Sequence, residues 1–339
     1  METRLPNPTR PGGRREYLRR KLFGGNFWGR LNTRIVGQMY VDRGSDPFGT
    51  VLLAGSARAG TTWISDILNH RNEYRYIFEP FHPNRLAATR GFRPRQYLRP
   101  DNDDPAYLGP ATDILSGRVR SVWTDKYNRK RVASRRLVKE VRGNLLLGWI
   151  SSHFPQVPII LLLRHPCAVV NSQLDLKWNW HLDLGDLLSQ SPLMEDHLEP
   201  FRELMTTTTV RFDQHVLLWC IENYVPLRQF RPGDVHVAFY EHFCVDPARE
   251  IERMLSFLGK PFDPAALANV SKPSAVSRKT SAIVSGESLV ESWRKKVSDE
   301  QVARAEEILG AFGLDRVYGA EPLPKLAAAS GALSGEVPL

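Results

Sequence analysis

The stretch TVLLAGSARAGTTWISDIL, residues 50–68, decides the fold of this chain. It opens with an apolar run, Thr50 to Gly55, that has the length and composition of a buried β-strand. A loop bounded by glycines follows. After Gly60, four apolar side chains recur at helical spacing, namely Trp63, Ile64, Ile67 and Leu68. A strand, a glycine loop and a helix in direct succession predict a βαβ unit around a parallel sheet.

The loop GSARAGTT, Gly55 to Thr62, has the form of a phosphate cradle, in which backbone N–H groups and a helix N-terminus face an anion. It is not the Walker A loop of nucleotide hydrolases. Thr61 stands where that loop requires lysine, and Arg58 is its only cation. The loop therefore predicts binding of a 5′-phosphate without the magnesium-dependent apparatus of phosphoryl transfer. A plain tight turn is the alternative.

A second candidate anion clamp follows the apolar run VPIILLL, residues 157–163. Arg164 leaves this predicted strand, and Ser172 lies two turns into a helix that Pro166 opens. Ligands of parallel sheets bind at the carboxyl ends of the strands, so both side chains are expected at the same edge as the loop. Two clamps predict a nucleotide with phosphates at its 5′ and 3′ ends. The alternative is an arginine paired with an acid of the sheet and a serine facing water.

The rest of the chain alternates strand and helix patterns, which predicts an α/β fold with a central parallel β-sheet flanked by helices. Further strands are expected at 74–78, 136–141 and 234–240. Further helices are expected at 145–154, 210–230, 246–259 and 287–311.

We divide the chain into a basic arm (1–48), a catalytic domain (49–318) and a flexible tail (319–339). Within the domain, residues 80–130 show little periodicity, and residues 180–209 form an acidic insertion. Both segments are expected to cover the substrate.

The composition, with 42% hydrophobic and 24% charged residues among 339, is that of a globular protein and excludes a disordered or fibrous one. No apolar run approaches the roughly 20 residues of a membrane span, and the charged first ten residues do not read as a secretory signal. Three scattered cysteines, Cys167, Cys220 and Cys244, predict neither disulfides nor a zinc site. We therefore expect a cytoplasmic protein that requires no metal.

The formal net charge of +9 favours an anionic partner. Much of the excess lies in the first 43 residues, where arginines are mixed with aromatic and aliphatic side chains. This arm could contact an anionic membrane surface. It could also dock partly on its own domain, because glycine pairs at 12–13 and 24–25 interrupt a long helix. No nucleic-acid partner is predicted, and the oligomeric state stays open.

The loop GSARAGTTW and the later run LLLRHPCAVVNSQ together resemble the paired cofactor motifs of the sulfotransferases that use 3′-phosphoadenosine 5′-phosphosulfate. The stretch VHVAFYEHFCVDPAREIERMLSFLGKPF and the basic segment SRKT ahead of Trp293 are similar to two further parts of that family, in the same order. The resemblance covers roughly residues 50–313. It implies a P-loop-like sulfotransferase fold, transfer of a sulfuryl group to a hydroxyl, and release of adenosine 3′,5′-bisphosphate.

The resemblance also implies a role for each matching residue. The 5′-phosphosulfate would be held by the loop residues Ser56, Ala57, Arg58, Ala59, Gly60, Thr61 and Thr62. The 3′-phosphate would be bound by Arg164, Ser172, Arg278, Lys279 and Thr280. Trp63 would lie against the adenine with Tyr240 near it, and the alternative for Trp63 is packing in the core.

Two departures from the cytosolic sulfotransferases concern the chemistry. Those enzymes carry lysine where Arg58 stands, and arginine offers a planar fork instead of a compact charge. The Lys-x-His that supplies their histidine base reads Lys139, Glu140, Val141 in this chain. The acceptor hydroxyl must still lose its proton, so another base is required.

Glu79 is the candidate base. It ends the second predicted strand, and the sulfotransferases that act on tyrosine and on carbohydrates look similar in carrying a glutamate at about this place. We expect Phe78 and Phe81 to desolvate this carboxylate and raise its pKa. Glu140 and His82 are the reserve candidates, and a surface glutamate before a turn proline is the alternative.

The sequence favours a carbohydrate or a glycosylated or lipid-like metabolite as the hydroxyl acceptor. Phe81, Trp178 and Trp180 are able to stack on it, and the alternative for these three residues is packing in the core. Two other functions remain open. One is a kinase with a degenerate P-loop, which would depend on ATP and magnesium. The other is a non-catalytic nucleotide- or membrane-binding module, which would bind the nucleotide without turnover.

Overall fold

The computed structural model describes residues 40–44, 46–176, 184–231, 233–274 and 288–325. Its strands are β1 (Val41–Asp42), β2 (Thr50–Gly55), β3 (Arg75–Phe78), β4 (Val132–Ala133), β5 (Arg136–Glu140), β6 (Ile159–Leu163) and β7 (His236–Phe239). The five longer strands form one parallel sheet in the order β3-β5-β2-β6-β7. Each of them overlaps a strand that the sequence predicts, so the α/β fold with a central parallel sheet is confirmed.

Every residue of β2, β3, β5 and β6 is buried, as expected of parallel strands that are covered on both faces. The side chains of β2 alternate between two apolar clusters. Leu52 and Ala54 belong to one cluster, and Val51 and Leu53 to the other. The continuous apolar run that predicts β2 therefore fills the core on both sides of the sheet.

The α-helices of the described residues are α1 (Thr61–Leu68), α2 (Pro105–Leu115), α3 (Leu147–His153), α4 (Pro166–Leu174), α5 (Leu184–Leu188), α6 (Ser191–Leu193), α7 (Arg202–Thr207), α8 (Arg211–Gln229), α9 (Tyr240–Val245), α10 (Pro247–Phe257) and α11 (Asp299–Ala311). Helices α1 and α10 pack on the face of Val51 and Leu53, and α4, α8 and α11 on the opposite face. Within the described ranges, no helix combines the length and the apolar character that crossing a bilayer demands.

The helix predicted over 287–311 is shorter in the structure and begins at Asp299. Ser298 Oγ accepts a hydrogen bond from the Gln301 backbone N–H, and the Gln301 side chain accepts one from the Ser298 N–H. This reciprocal capping box fixes the helix start. The predicted start was wrong because apolar periodicity continues across Trp293, which lies in a separate 3₁₀ turn, Ser292–Lys295.

A small second sheet joins the end of the arm to the domain, because β1 pairs with β4 in parallel. Asp42 on β1 contacts the buried guanidinium of Arg136 at 2.7 Å and that of Arg75 at 3.4 Å. Arg75 also pairs with the buried Asp125 at 3.0 Å. Charges at the amino ends of β3 and β5 are thus neutralised inside the protein.

The two segments predicted to cover the substrate contain helices and contact each other. In residues 80–130, Asp104 caps α2 and Pro105 is its first residue, a helix start that the sequence analysis missed. Arg99 from this segment pairs with Glu195 at 2.6 Å and Asp196 at 2.8 Å in the acidic insertion. Opposite charges therefore connect the two segments.

Candidate functional site

The loop between β2 and α1 lies at the carboxyl edge of the sheet and has the form of an anion cradle. Gly60 immediately precedes α1 with φ of 102°, in the left-handed region. A Cβ on Gly60 would lie 2.6 Å from the Tyr240 ring, so only glycine fits there. Helix α1 then begins at Thr61, which places the N–H groups of its first turn at this edge.

Buried polar side chains on α4 and α8 form hydrogen bonds to the loop. Gln173 on α4 donates a hydrogen bond to the Ala57 carbonyl at 2.8 Å, and Asn223 on α8 donates to Ser56 Oγ at 3.2 Å. His215 in turn bonds the Gln173 side chain at 2.8 Å. Sequence reasoning missed these contacts. Gln173 ends the second quoted motif, but His215 and Asn223 come from a distant helix and form no motif with the loop. The conformation of the loop therefore depends on how α4 and α8 pack against it.

The second predicted clamp meets the loop. Arg58 Nε donates a hydrogen bond to Ser172 Oγ at 3.0 Å, and Arg164 Nη1 donates to the Arg58 carbonyl at 3.2 Å. Arg58 itself has a left-handed backbone, with φ of 79°, which for a non-glycine residue costs about 1 kcal/mol or more. The structure thus brings together the three residues that the sequence assigned to two separate motifs.

Two aromatic rings, those of Tyr240 and Trp63, form a row of contacts with Arg164. The Arg164 guanidinium lies 4.1 Å from the centre of the Tyr240 ring, which in turn lies 5.2 Å from Trp63. Trp63 is 5% exposed and donates its indole N–H to the Val270 carbonyl at 3.1 Å. Trp63 therefore makes the contacts of a core residue. Its ring also contacts Tyr240, the residue whose ring packs against Gly60.

Glu79 lies at the same edge of the sheet, where it directly follows β3 with a left-handed φ of 42°. Its carboxylate accepts hydrogen bonds from Lys139 Nζ at 2.7 Å and Arg142 Nη1 at 2.5 Å. Burial of Glu79 raises its pKa, but these two cations outweigh burial and lower the pKa to about 2. The expectation of a raised pKa was wrong, because Lys139 and Arg142 face Glu79 where the sequence suggested only phenylalanines.

The two reserve candidates for the base, Glu140 and His82, have different surroundings. Glu140 is buried, and its oxygens accept hydrogen bonds from the backbone N–H groups of Phe81, Val141 and Arg142 at 2.8 to 2.9 Å. It therefore fixes the chain around the end of β5. Burial, aided by Arg142 and Arg85, lowers the pKa of His82 to about 4, so that His82 is neutral at pH 7.

Several predicted site residues lie outside the described residues, namely Arg278, Lys279, Thr280, Trp178 and Trp180. Among the residues that are described, no group of three or more histidine, cysteine, aspartate or glutamate side chains could hold a metal ion. The described part of the site consists of cations, backbone N–H groups and one ionised glutamate at the ends of β2, β3, β5, β6 and β7.

The sequence model of the Sulfotransferase family matches residues 50–264, well over half of the chain. The chain belongs to the sulfotransferase family. This sulfotransferase is 25% identical over 287 residues to the nodulation protein NoeE of Sinorhizobium fredii (strain NBRC 101917 / NGR234). The match covers 76% of this chain and 63% of NoeE, so the chain spans less than two thirds of that relative.

Solved structures of sulfotransferases are also similar to it. The sulfotransferase domain from the curacin biosynthetic pathway is 14% identical, with a TM-score of 0.44, over 78% of this chain and 96% of that domain. The mouse sulfotransferase SULT7A1 complexed with PAP is 14% identical, with a TM-score of 0.39, over 84% of this chain and 90% of that one. The family implies 3′-phosphoadenosine 5′-phosphosulfate as the sulfuryl donor, as the sequence motifs predict.

Proposed function

We propose that this chain transfers a sulfuryl group from 3′-phosphoadenosine 5′-phosphosulfate to a hydroxyl of its acceptor. The observation that carries the proposal is the 3.0 Å hydrogen bond from Arg58 to Ser172. It joins the loop after β2 to the helix after β6, so that two anion clamps form one site. A nucleotide that carries a 5′-phosphate and a 3′-phosphate needs both clamps.

The residues present fit this donor. Arg164 Nε is buried and has no hydrogen-bond partner among the residues that the structure describes, which leaves a cationic N–H for an anion. The missing Cβ of Gly60 lets the Tyr240 ring pack directly against the loop backbone. The loop and Arg58 would hold the 5′ end of the nucleotide, and Arg164 with Ser172 the 3′-phosphate.

When bound, the donor supplies an activated sulfuryl group whose departure leaves negative charge on the 5′-phosphate. Arg58 and the loop N–H groups stabilise that charge, because they are fixed in place before the reaction begins. Glu79 accepts the proton of the acceptor hydroxyl. Its low pKa keeps it ionised at neutral pH, and the acidity that the hydroxyl gains as it bonds to sulfur drives the proton towards it.

For the acceptor we propose a carbohydrate, or a glycosylated or lipid-like metabolite. A cytoplasmic location and a membrane contact through the basic arm remain predictions from the sequence.

The test is a thermal-shift titration of the purified chain with adenosine 3′,5′-bisphosphate, set beside AMP, ADP and ATP with and without magnesium. A ligand at ~100 times its dissociation constant adds about 2.7 kcal/mol to the free energy of unfolding. We expect the bisphosphate to stabilise the chain without metal. Stabilisation by ATP only with magnesium would indicate a kinase. Binding of the sulfated donor without its consumption in the presence of any acceptor would indicate a non-catalytic module.

A further inference from the structure

A cluster of cations and aromatic rings surrounds the candidate base. The Trp123 indole N–H donates to the Glu79 carbonyl at 3.0 Å, which fixes the ring beside the base. Lys126 Nζ lies 3.9 Å from the centre of this ring, and the Arg85 guanidinium lies 4.6 Å from it. We call Arg85, Trp123 and Lys126 the basic platform.

Among the described residues, no ion pair balances the charges of the basic platform. Lys139 and Arg142 are paired with Glu79. In the parts of the chain that the structure describes, no carboxylate lies within 4 Å of Arg85 or Lys126, and both residues are solvent-accessible. Partial burial and the neighbouring cations Lys139, Arg85 and Arg142 lower the pKa of Lys126, although Glu79 opposes this effect. The surroundings of Glu79 therefore carry excess positive charge.

The donor does not account for this charge. The loop follows β2, and Arg164 and Ser172 follow β6, whereas Glu79 follows β3, an edge strand of the sheet. Strand β5 separates β3 from β2, so the platform and Arg164 lie on opposite sides of the loop. Cation–π contact stabilises Arg85 and Lys126 on Trp123 but does not neutralise them. The side of Glu79 that faces away from the 3′-phosphate clamp therefore carries positive charge that can bind a second anion.

We infer that the basic platform binds an anionic group of the acceptor, a carboxylate, sulfate or phosphate, and thereby directs a hydroxyl of the same molecule to Glu79. This inference rests on the proposed function and narrows its substrate class from hydroxyl compounds in general to anionic ones. Arg85 and Lys126 form charge-assisted hydrogen bonds to the anion. Glu79, whose carbonyl accepts the Trp123 indole N–H, lies beside the platform and takes the proton of the hydroxyl.

The experiment uses the full chain saturated with adenosine 3′,5′-bisphosphate. Three matched probes are titrated by ligand-observed NMR: phenyl β-glucoside, its 6-sulfate, and phenyl β-glucuronide. We expect one or both anionic probes to bind at least about tenfold more tightly than the neutral glucoside. Which one binds better distinguishes a sulfate site from a carboxylate site. Double substitution Arg85→Gln with Lys126→Gln removes the preference, and Lys272→Gln, which neutralises an exposed cation far along the chain, retains it.

Equal binding of all three probes, or binding of none, would overturn the inference. So would a loss of bisphosphate affinity in the double variant, because the platform would then serve the donor. The proposed function fails separately, since it fails when adenosine 3′,5′-bisphosphate does not stabilise the wild-type chain. Retained bisphosphate binding with no anion preference removes only the platform's role.

Discussion

Lys139 Nζ donates a hydrogen bond to Glu79 Oε1 across 2.7 Å, and both side chains are buried. Lys139 lies on β5 and Glu79 directly follows β3, the parallel neighbour of β5, so the sheet itself sets their separation. With Arg142 as the second partner, the carboxylate has a cation at each oxygen. This arrangement keeps Glu79 ionised and oriented before any acceptor arrives.

Glu79→Gln should lower kcat by a factor of roughly 10² or more, because an amide cannot take the proton of the acceptor hydroxyl. The dissociation constant for adenosine 3′,5′-bisphosphate should change by less than about threefold, since the donor clamp does not include this residue. Steady-state kinetics and calorimetric titration measure the two quantities. Glu73→Gln, at an exposed pair with Lys260, is the control and should retain activity. An undiminished kcat would remove Glu79 from the mechanism.

Lys139→Met should move the loss of activity at acid pH to a higher pH than in the wild type. In the wild type the pKa of Glu79 is about 2, so the base stays ionised down to strongly acid pH. Without Lys139, burial acts against one cation instead of two and the pKa of Glu79 rises. Activity is then lost as pH falls through the raised pKa and recovers at high pH. Lys139→Arg keeps the charge and should keep the wild-type pH profile of kcat/KM. Identical profiles in all three proteins would contradict the role of this pair.

Arg58→Ala should lower kcat by a factor of roughly 10² or more, because the charge that develops on the leaving phosphate loses its cation. Arg58→Lys retains the charge but cannot reproduce the planar fork that donates to Ser172, so we expect an intermediate loss. Ser172→Ala removes the acceptor of this hydrogen bond and also the proposed contact of Ser172 to the 3′-phosphate, so its kcat is compared at saturating donor. If Arg58→Ala and Ser172→Ala reduce kcat equally, Arg58 acts as a support of the loop and not on the phosphate.

Asp42→Asn should destabilise the protein by about 3 kcal/mol, because it leaves the buried guanidinium groups of Arg75 and Arg136 without their shared anion. Thermal unfolding would show a fall in Tm of several degrees. Asp113→Asn breaks an exposed pair with Arg118 and should cost less than about 1 kcal/mol. Equal losses in the two variants would show that burial of the Asp42 cluster does not matter.

The sequence predicts the sheet well, because buried parallel strands are continuous apolar runs bounded by turns. The strand TVLLAG at 50–55 and the helix PCAVVNSQL at 166–174 match β2 and α4 residue for residue. The elements that sequence reasoning missed have weaker local signals. Helix α2 has little apolar periodicity and carries an internal proline, Pro110, and β1 and β4 contain two residues each.

The donor clamp could be predicted because each half is a short motif at the end of a strand. The environment of Glu79 could not, since it depends on which strands are neighbours. Strand β5 pairs with β3, and only that pairing places Lys139 and Arg142 against the carboxylate and reverses the expected pKa shift. The network of Gln173, His215 and Asn223 behind the loop likewise exists only after α4 and α8 pack together.

The most direct test of the two-clamp site is a calorimetric comparison of adenosine 3′,5′-bisphosphate with AMP, in the wild type and in Arg164→Ala. The two ligands differ in the 3′-phosphate alone. We predict that this phosphate tightens binding by roughly 30-fold or more in the wild type and by less than about threefold in the variant, as expected for charge-assisted hydrogen bonds. Equal affinity for both ligands in the wild type, or an unchanged ratio in Arg164→Ala, would contradict the assignment of Arg164 to the 3′-phosphate.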